Sequence, residues 1–592
     1  MRSPTLRPVL AFAAIFVFIF LLHAPLLQLP YFWDEAGYYV PAARDILLTG
    51  SLIPHSTLSS AHPPLVLAWL ALWWKVILYK PLVTRAAMLL LTAFSLLGLF
   101  RLAEHVTNTQ VAIAATVCTA LYPVFFAQSS LAQVDLVAAG LIFWGLRAYF
   151  EDRRLAAAIW FTLAALAKET AILAPLALVA FEILGLLFGG RVRVRRLWPD
   201  ETFDYESAFR GSNWIAALLM PLLPLTLWYA YHYARTGYIF GNPEFFRYNV
   251  GATLNSNRFL LALAMRVWQA FGYMHLWMLT LAMVLAMFLP PQSDSGAERP
   301  RIAIPVQMVF LVIIAAYVVA MALIGGAVLA RYMLPAVPLV IVLAVSTLWR
   351  RLSFWPAAVA FVGFAFVAAW FFNPPYGFSP EDNLAYHDYV LLHESGAHFL
   401  EARYPSARVL TAWPASDELT RPWLGYITRP LEVVRVEDFS LAEVISAAEL
   451  RANFEVAVIF STKYEPAPSL FDRWKSWVDL KTRFFGFHHD MPPSAVAQIL
   501  GGKVVFSESR KGQWIAVIEI ERVEEAATSA SGFRLQAPGL QAGGGVLVGR
   551  GQPLVAGSHR QFAIRWQEWV LITSQTSRPG CNWSASRAAS VR

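Results

Sequence analysis

Read for hydrophobic and polar positions, the first two thirds of the chain is a succession of long apolar runs with short polar punctuation. The runs occupy 8–29, 63–79, 84–104, 109–127, 131–150, 155–167, 170–189, 212–232, 263–289, 303–324, 331–348 and 353–372. A helix needs about 20 mainly apolar residues to cross a bilayer, and two runs, 63–79 and 155–167, fall short. The arginine clusters decide their status. "EDRR" (151–154), "RVRVRR" (191–196), "ERPR" (298–301) and "WRR" (349–351) belong on the cytoplasmic side, where Arg and Lys concentrate in loops. All four reach it when 63–79 lies along the membrane surface and 155–167 crosses. The pattern therefore predicts eleven spans, with the N-terminus inside and the C-terminal portion outside. This choice puts Lys75, Lys80 and Arg85 on the outer face; the converse choice puts Arg153 and Arg154 outside and Asp135 inside. The first run follows Arg2 and Arg7, but it is too long for a signal-peptide core. No small-x-small site precedes Pro30, so an uncleaved first helix is expected.

Beyond Phe372 the pattern changes. "NPPYGFSPEDN" (373–383) breaks the helical period with prolines, a glycine and acids. "ARVLTAW", "FEVAVIFS" and "WIAVIEIERV" are short β-branched runs of strand type, and "LAYHDYVLLHESGAHFLEARY" has helical character. The expected organisation is a membrane domain at 1–373, an extracytoplasmic α/β domain at 374–525 and a disordered tail at 526–592. That tail is rich in Gly, Ala and Ser and shows no sustained period.

Composition agrees with a membrane protein. Of 592 residues, 57% are hydrophobic and 15% charged, too little charge for a soluble chain of this length. The 22 Trp, 21 Tyr and 41 Phe suit interfacial belts. The net charge of +8 follows from cytoplasmic arginines and implies membrane lipids, not nucleic acid, as the partner. The two cysteines, Cys118 and Cys581, make no disulfide framework or thiolate metal site. There is no P-loop, dinucleotide fingerprint, zinc-spaced cluster or convincing internal repeat.

The predicted topology gathers polar residues on the outer side. In "LPYFWDEAGYYVPAARDILLTG" (29–50), Asp34 and Glu35 stand side by side among aromatics just after the first span. His55 and His62 follow in the same loop. Asp135 opens the 131–150 run, Lys168 and Glu169 lie between two runs, and Arg331 and Tyr332 begin another. Ionisable groups at membrane depth are expensive, so such a gathering is a candidate site.

The order of these elements resembles the GT-C glycosyltransferases, and most closely the protein O-mannosyltransferase and lipid A aminoarabinose transferase group. The elements are the aromatic-flanked "DE", "HPPL" (62–65), Arg85 entering a helix, "LAQVDLV" with Asp135, "LAKETAIL" with Lys168, and "RYMLPAVPL" (331–339). The resemblance covers about 5–350. In that group "K/H-P-P-L" heads a juxtamembrane helix; where the aminoarabinose enzymes carry lysine, this chain has His62. The resemblance implies a polytopic GT-C fold and inverting transfer of a monosaccharide from a polyprenyl-phosphate donor. It implies a lipid, glycan or protein acceptor at the outer face of a bacterial cytoplasmic membrane.

That chemistry needs a base for the acceptor hydroxyl and cations for the departing phosphate. Asp34 is the candidate base, or else a solvated loop acid. Glu35 orients the acceptor, binds a metal or caps the following helix. Asp135 is an N-cap or pairs with Asp34 to hold Mg²⁺ or Mn²⁺ or to position the acceptor. Arg331 is the first candidate for the donor phosphate and otherwise an interfacial anchor. Lys168 is the second, or the partner of Glu169. His62 bonds phosphate or acceptor, or merely ends its loop before the prolines. The loop aromatics stack on sugar or form a membrane belt. A transporter or flippase of lipid-linked sugars, a non-catalytic assembly subunit and a ligase using a pyrophosphate-linked donor are the competing readings.

Overall fold

The structure, a computed structural model, describes residues 6–188, 212–241, 256–294, 296–324, 326–465, 470–485 and 489–521. The arginine cluster 191–196 and the expected tail 526–592 lie outside the described residues. By internal contacts the chain divides into Met1–Val523 and Glu524–Arg592, and all described residues belong to the first unit.

Helices dominate this unit. Five are long and apolar enough to cross a membrane: Pro81–Val106, Glu169–Leu187, Ser212–Thr236, Ser256–Ala286 and Ile304–Leu323. The pair Thr109–Leu121 and Pro123–Ser130, bent by 70°, makes a sixth if it is one span. Shorter apolar helices, Pro8–Leu22, Leu65–Val76, Arg154–Ala167 and Trp355–Phe371, accompany them. The eleven expected spans are thus not eleven span-length helices among the described residues. Breaks account for the difference: Pro123 restarts a helix in a new direction, and Asp135–Phe150 and Val337–Arg351 stop at 16 and 15 residues. Outward faces carry Phe18, Leu223, Phe288, Phe361 and Phe364 exposed, an apolar surface suited to lipid.

Two short helices shape the site. Leu65–Val76 has 12 residues, a rise of about 18 Å against a hydrocarbon core of ~30 Å. It packs on Val40–Thr49 and Pro81–Val106. Trp69 Nε1 donates to the Ala87 carbonyl at 3.1 Å and Trp74 Nε1 to Thr84 Oγ1 at 2.9 Å. Asp135–Phe150 and Arg154–Ala167 pack side by side as a hairpin, which turns where Asp152 takes a φ of 58° and returns Lys168 to the level of Asp135. Gly140 sits where this hairpin meets Pro81–Val106: a Cβ there would lie 1.8 Å from Ser95 Oγ. Small residues at such crossings let helix backbones approach.

Val337–Arg351 begins beside Arg331 and ends in an arginine cluster. There Arg350 Nε donates to the Arg299 carbonyl at 2.9 Å, and Arg299 Nη1 to the Trp349 carbonyl at 2.6 Å. The hairpin of β1 (Ser293–Asp294) and β2 (Ala297–Glu298) lies here. The "ERPR" and "WRR" clusters therefore share one end of this helix, and Arg331 is at the other.

After Phe372 the chain builds a mixed sheet of β3 (Arg408–Ala412), β4 (Glu432–Val436), β5 (Val456–Phe460), β6 (Gly502–Arg510) and β7 (Gln513–Ile520), in the order β4-β3-β5-β7-β6. β3 is parallel to β4 and β5, while β7 is antiparallel to β5 and β6. Central β5 is buried at every residue, which is why its sequence, VAVIF, is unbroken. The three β-branched runs fall on β3, β5 and β7; β4 and β6 are additional. Helix Ala385–Arg403 packs on β6 and β7. The sheet is stapled to the loop after the first helix. Tyr426 OH donates to the Tyr31 carbonyl at 3.0 Å, Tyr79 OH to the Trp423 carbonyl at 3.0 Å, and Arg421 Nη2 to the Ser56 carbonyl at 2.7 Å.

Candidate active site

The first loop reverses at Trp33, whose φ of 42° lies in the left-handed region, a conformation costly for a bulky residue. Glu35–Tyr39 then forms a single π-helical turn, a widened turn that recurs at functional sites. This geometry separates the two adjacent acids. Asp34 lines a cavity of about 430 Å³, whereas Glu35 is fully buried.

Glu35 belongs to the scaffold. Its carboxylate pairs with Arg85 through both oxygens, with Nη2 to Oε2 at 3.0 Å, and accepts from the Phe32 and Ala132 backbone N–H groups. Arg85 also donates to the carbonyls of Ser130 and Pro30. One ion pair thus ties the first loop, the entry of Pro81–Val106 and the segment before Asp135. Arg85, expected on the outer face, is 1% exposed, and Glu35 caps no helix. Burying these charges is tolerable because both carboxylate oxygens and both terminal guanidinium nitrogens have partners.

Arg331 organises the cavity floor. Its Nη2 donates to Asp34 Oδ2 at 2.6 Å, and its Nη1 to Gln133 Oε1 at 2.7 Å and to Glu381 Oε2. Its Nε faces Asp135 Oδ2 at 3.4 Å. Asp135 Oδ1 accepts from Lys168 Nζ, which also lies 4.1 Å over the Tyr332 ring. The side chain of Asp135 therefore turns to cations and not to its own helix end. Lys168 pairs with Asp135, and Glu169 pairs instead with His62 Nδ1 at 2.8 Å. His62 lines the cavity with Tyr39, whose ring it stacks on at 5.9 Å.

The structure thus brings Asp34, His62 and Arg331 into the cavity wall, with Asp135 and Lys168 buried directly behind. Glu35 is set apart. Asp34 and Asp135 do not fit a divalent ion, because the cation between them is the Arg331 guanidinium and Lys168 holds the remaining Asp135 oxygen. Among the described residues no group of three or more His, Cys, Asp or Glu is placed to hold a metal.

Sequence reasoning missed Glu381 and Asp382, read only as breakers in "SPEDN". They stand just after the last apolar helix as "DE" stands just after the first, and that symmetry was the available signal. Gln133 Nε2 donates to Glu381 Oε2 at 3.0 Å, and Tyr273 OH to Asp382 Oδ2 at 2.6 Å. Three carboxyls (Asp34, Asp135, Glu381) face two cations (Arg331, Lys168). Burial pushes the Glu381 carboxyl up despite the Arg331 charge beside it. Burial and the adjacent Glu381 raise Asp382 to about 7. A further part of the wall comes from the sheet and its strand ends: Trp413, Arg435, Glu437 and Thr462. Trp413 meets Trp33 edge-on at 5.3 Å, and Gly37 leaves room for its indole, since a Cβ there would lie 2.5 Å from Trp413 Nε1.

No family model and no curated protein matches the chain. Among solved structures it is similar to ArnT from Cupriavidus metallidurans bound to undecaprenyl phosphate, with 14% identity and a TM-score of 0.49 over 86% of this chain and 97% of that one. It is similar to AglB from Archaeoglobus fulgidus in complex with an inhibitory peptide and a dolichol-phosphate, with 12% identity and a TM-score of 0.42 over 85% and 74%. A third is the arabinofuranosyltransferase AftD from Mycobacteria, with 16% identity and a TM-score of 0.35 over 86% and 41%. All three are GT-C glycosyltransferases. At these identities and TM-scores the likeness is of backbone course, and it assigns no residue a role.

Proposed function

We propose that the cavity is the active site of an inverting membrane glycosyltransferase. It moves a monosaccharide from a polyprenyl-phosphate donor to an envelope glycolipid, glycan or protein acceptor. Asp34 carries this reading. Its carboxylate lines the cavity at the exit of the first helix, Arg331 fixes Oδ2, and Oδ1 has no hydrogen-bond partner among the described residues. A carboxylate immobilised through one oxygen, with the other available, is arranged to take a proton. The ordered motifs around Asp34, His62, Asp135, Lys168 and Arg331 supply the reaction class.

In the proposed step Asp34 Oδ1 accepts the proton of the acceptor hydroxyl. The oxygen forms a bond to the anomeric carbon from the face opposite the phosphate. The anomeric C–O bond to phosphate breaks, and its electron pair leaves with the polyprenyl phosphate. Arg331 has five N–H donors, and the partners above occupy four, counting the long approach to Asp135. The remaining Nη2 N–H is the group offered to the departing phosphate, and His62 lines the same cavity. Asp135, Lys168 and Glu381 position Arg331. No step requires a metal.

On this reading the chain crosses the cytoplasmic membrane eleven times with its N-terminus inside. Residues 1–373 form the catalytic membrane domain, 374–525 an extracytoplasmic domain, and 526–592 a tail. Native mass spectrometry of the purified protein with undecaprenyl phosphate tests the donor side. One carrier should bind wild type, and Arg331→Gln should release it while the protein stays folded. Equal retention by both proteins would remove Arg331 from the donor site.

A further inference from the structure

The sheet domain contributes more than a cover. β3, β4 and β5 are mutually parallel in the order β4-β3-β5, so their carboxyl ends lie along one edge. The chain leaves β3 for β4 on one side and then passes back across β3 to β5 on the other. That reversal makes the β3/β5 boundary a topological switch point, where open α/β sheets leave a crevice for ligands. Every cavity residue drawn from this sheet comes from that edge. Trp413 directly follows Ala412 of β3, Arg435 and Glu437 flank the last residue of β4, and Thr462 lies two positions past Phe460 of β5. Thr462 is held by Asp490, through its N–H and its Oγ1, both at 2.8 Å. Arg435 is exposed in the wall; Asp417 is an acidic neighbour, and the Arg435 guanidinium donates no hydrogen bond among the described residues.

We propose that these strand ends form an acceptor subsite for a saccharide bearing an anionic group, a phosphate or a carboxylate. It rests on the transferase reading above, in which Asp34 and Arg331 occupy the opposite wall. Arg435 takes the anion through its planar fork. Trp413, braced by Trp33, offers an apolar ring to the sugar. On that reading the floor cation Arg331 serves the donor phosphate, which leaves Arg435 as the cation of the outer wall. The acceptor hydroxyl is thereby held toward Asp34 with its anion pointing away from the membrane.

Isothermal titration calorimetry on the detergent-purified full chain tests the subsite, with glucose 1-phosphate, glucuronic acid, glucose and inorganic phosphate as probes. Wild type and Asp34→Asn should bind one or both anionic sugars, and which of the two distinguishes phosphate from carboxylate. Glucose and inorganic phosphate should bind more weakly. Arg435→Gln, confirmed folded by its melting curve, should weaken the anionic sugars about tenfold or more, as expected for a lost charge-assisted hydrogen bond. Trp413→Leu should weaken them while sparing inorganic phosphate. Equal binding by Arg435→Gln and wild type, or no preference for the anionic sugars over glucose, overturns the subsite. Asp34→Asn separates the two proposals, because it removes transfer but not this binding. An Arg435-independent signal in a protein that still transfers sugar defeats the subsite alone.

Discussion

Arg331 holds Asp34 Oδ2 at 2.6 Å although 297 positions separate them in the chain. The same guanidinium reaches Gln133 and Glu381 and faces Asp135, so its planar geometry sets the positions of three acids at once. A lysine keeps the charge but not the fork. Arg331→Lys should therefore lower transfer by about 10²–10³, the range seen when one donor to a developing anion is removed. Product formation in membranes of matched expression checks this. Activity within a few-fold of wild type would show that charge alone suffices.

Glu35 and Arg85 should behave as scaffold and not as chemistry. Glu35→Gln leaves Arg85 buried without its counter-charge, a change that costs about 3–5 kcal/mol. The Glu35→Met/Arg85→Met pair should recover much of the loss, because no unpaired charge remains. Thermal unfolding of the detergent-solubilised protein reads both. A double variant no more stable than Glu35→Gln would contradict the assignment.

Gly37 is small because Trp413 fills the space beside it. Gly37→Val should displace the indole and lower the melting temperature, and Trp413→Ala in the same chain should relieve the clash. Additive losses in the double variant would show that the two positions are not coupled through this contact.

Asp382 links stability to pH. Its folded-state value of about 7 lies above the ordinary ~3.9 of an unfolded aspartate. The folded chain holds the extra proton between those values. Its contribution is therefore full below about pH 4 and is lost as pH rises to about 7. Asp382→Asn should flatten this part of the melting-temperature profile, and an unchanged slope would contradict the linkage.

Much of this architecture can be read from local pattern. The aromatic-flanked acids after the first apolar run, the shortness of 63–79 and the β-branched runs that become β3, β5 and β7 all depend on neighbouring residues. β4 and β6 escaped because Arg435, and Glu508 with Arg510, interrupt strands that are only partly buried. The cluster around Arg331 is different in kind. Its partners come from the first loop, the segment before Asp135, and "SPED" beyond another helix. Glu35 and Asp34 are neighbours in sequence, yet a π-turn and a left-handed Trp33 send them to different places. No local period announces that separation.

On the proposed reading, Asp34 acts as the base in a glycosyl transfer. The direct test compares envelope glycolipids and glycoproteins by mass spectrometry in a deletion strain, the same strain with the wild-type gene, and the same strain with Asp34→Asn expressed at normal level. A sugar-sized mass increment should vanish on deletion, return with wild type and stay absent with Asp34→Asn, identifying the acceptor at the same time. Full restoration by Asp34→Asn would reduce Asp34 to a partner of Arg331 and turn attention to transport of lipid-linked sugars or a scaffold role.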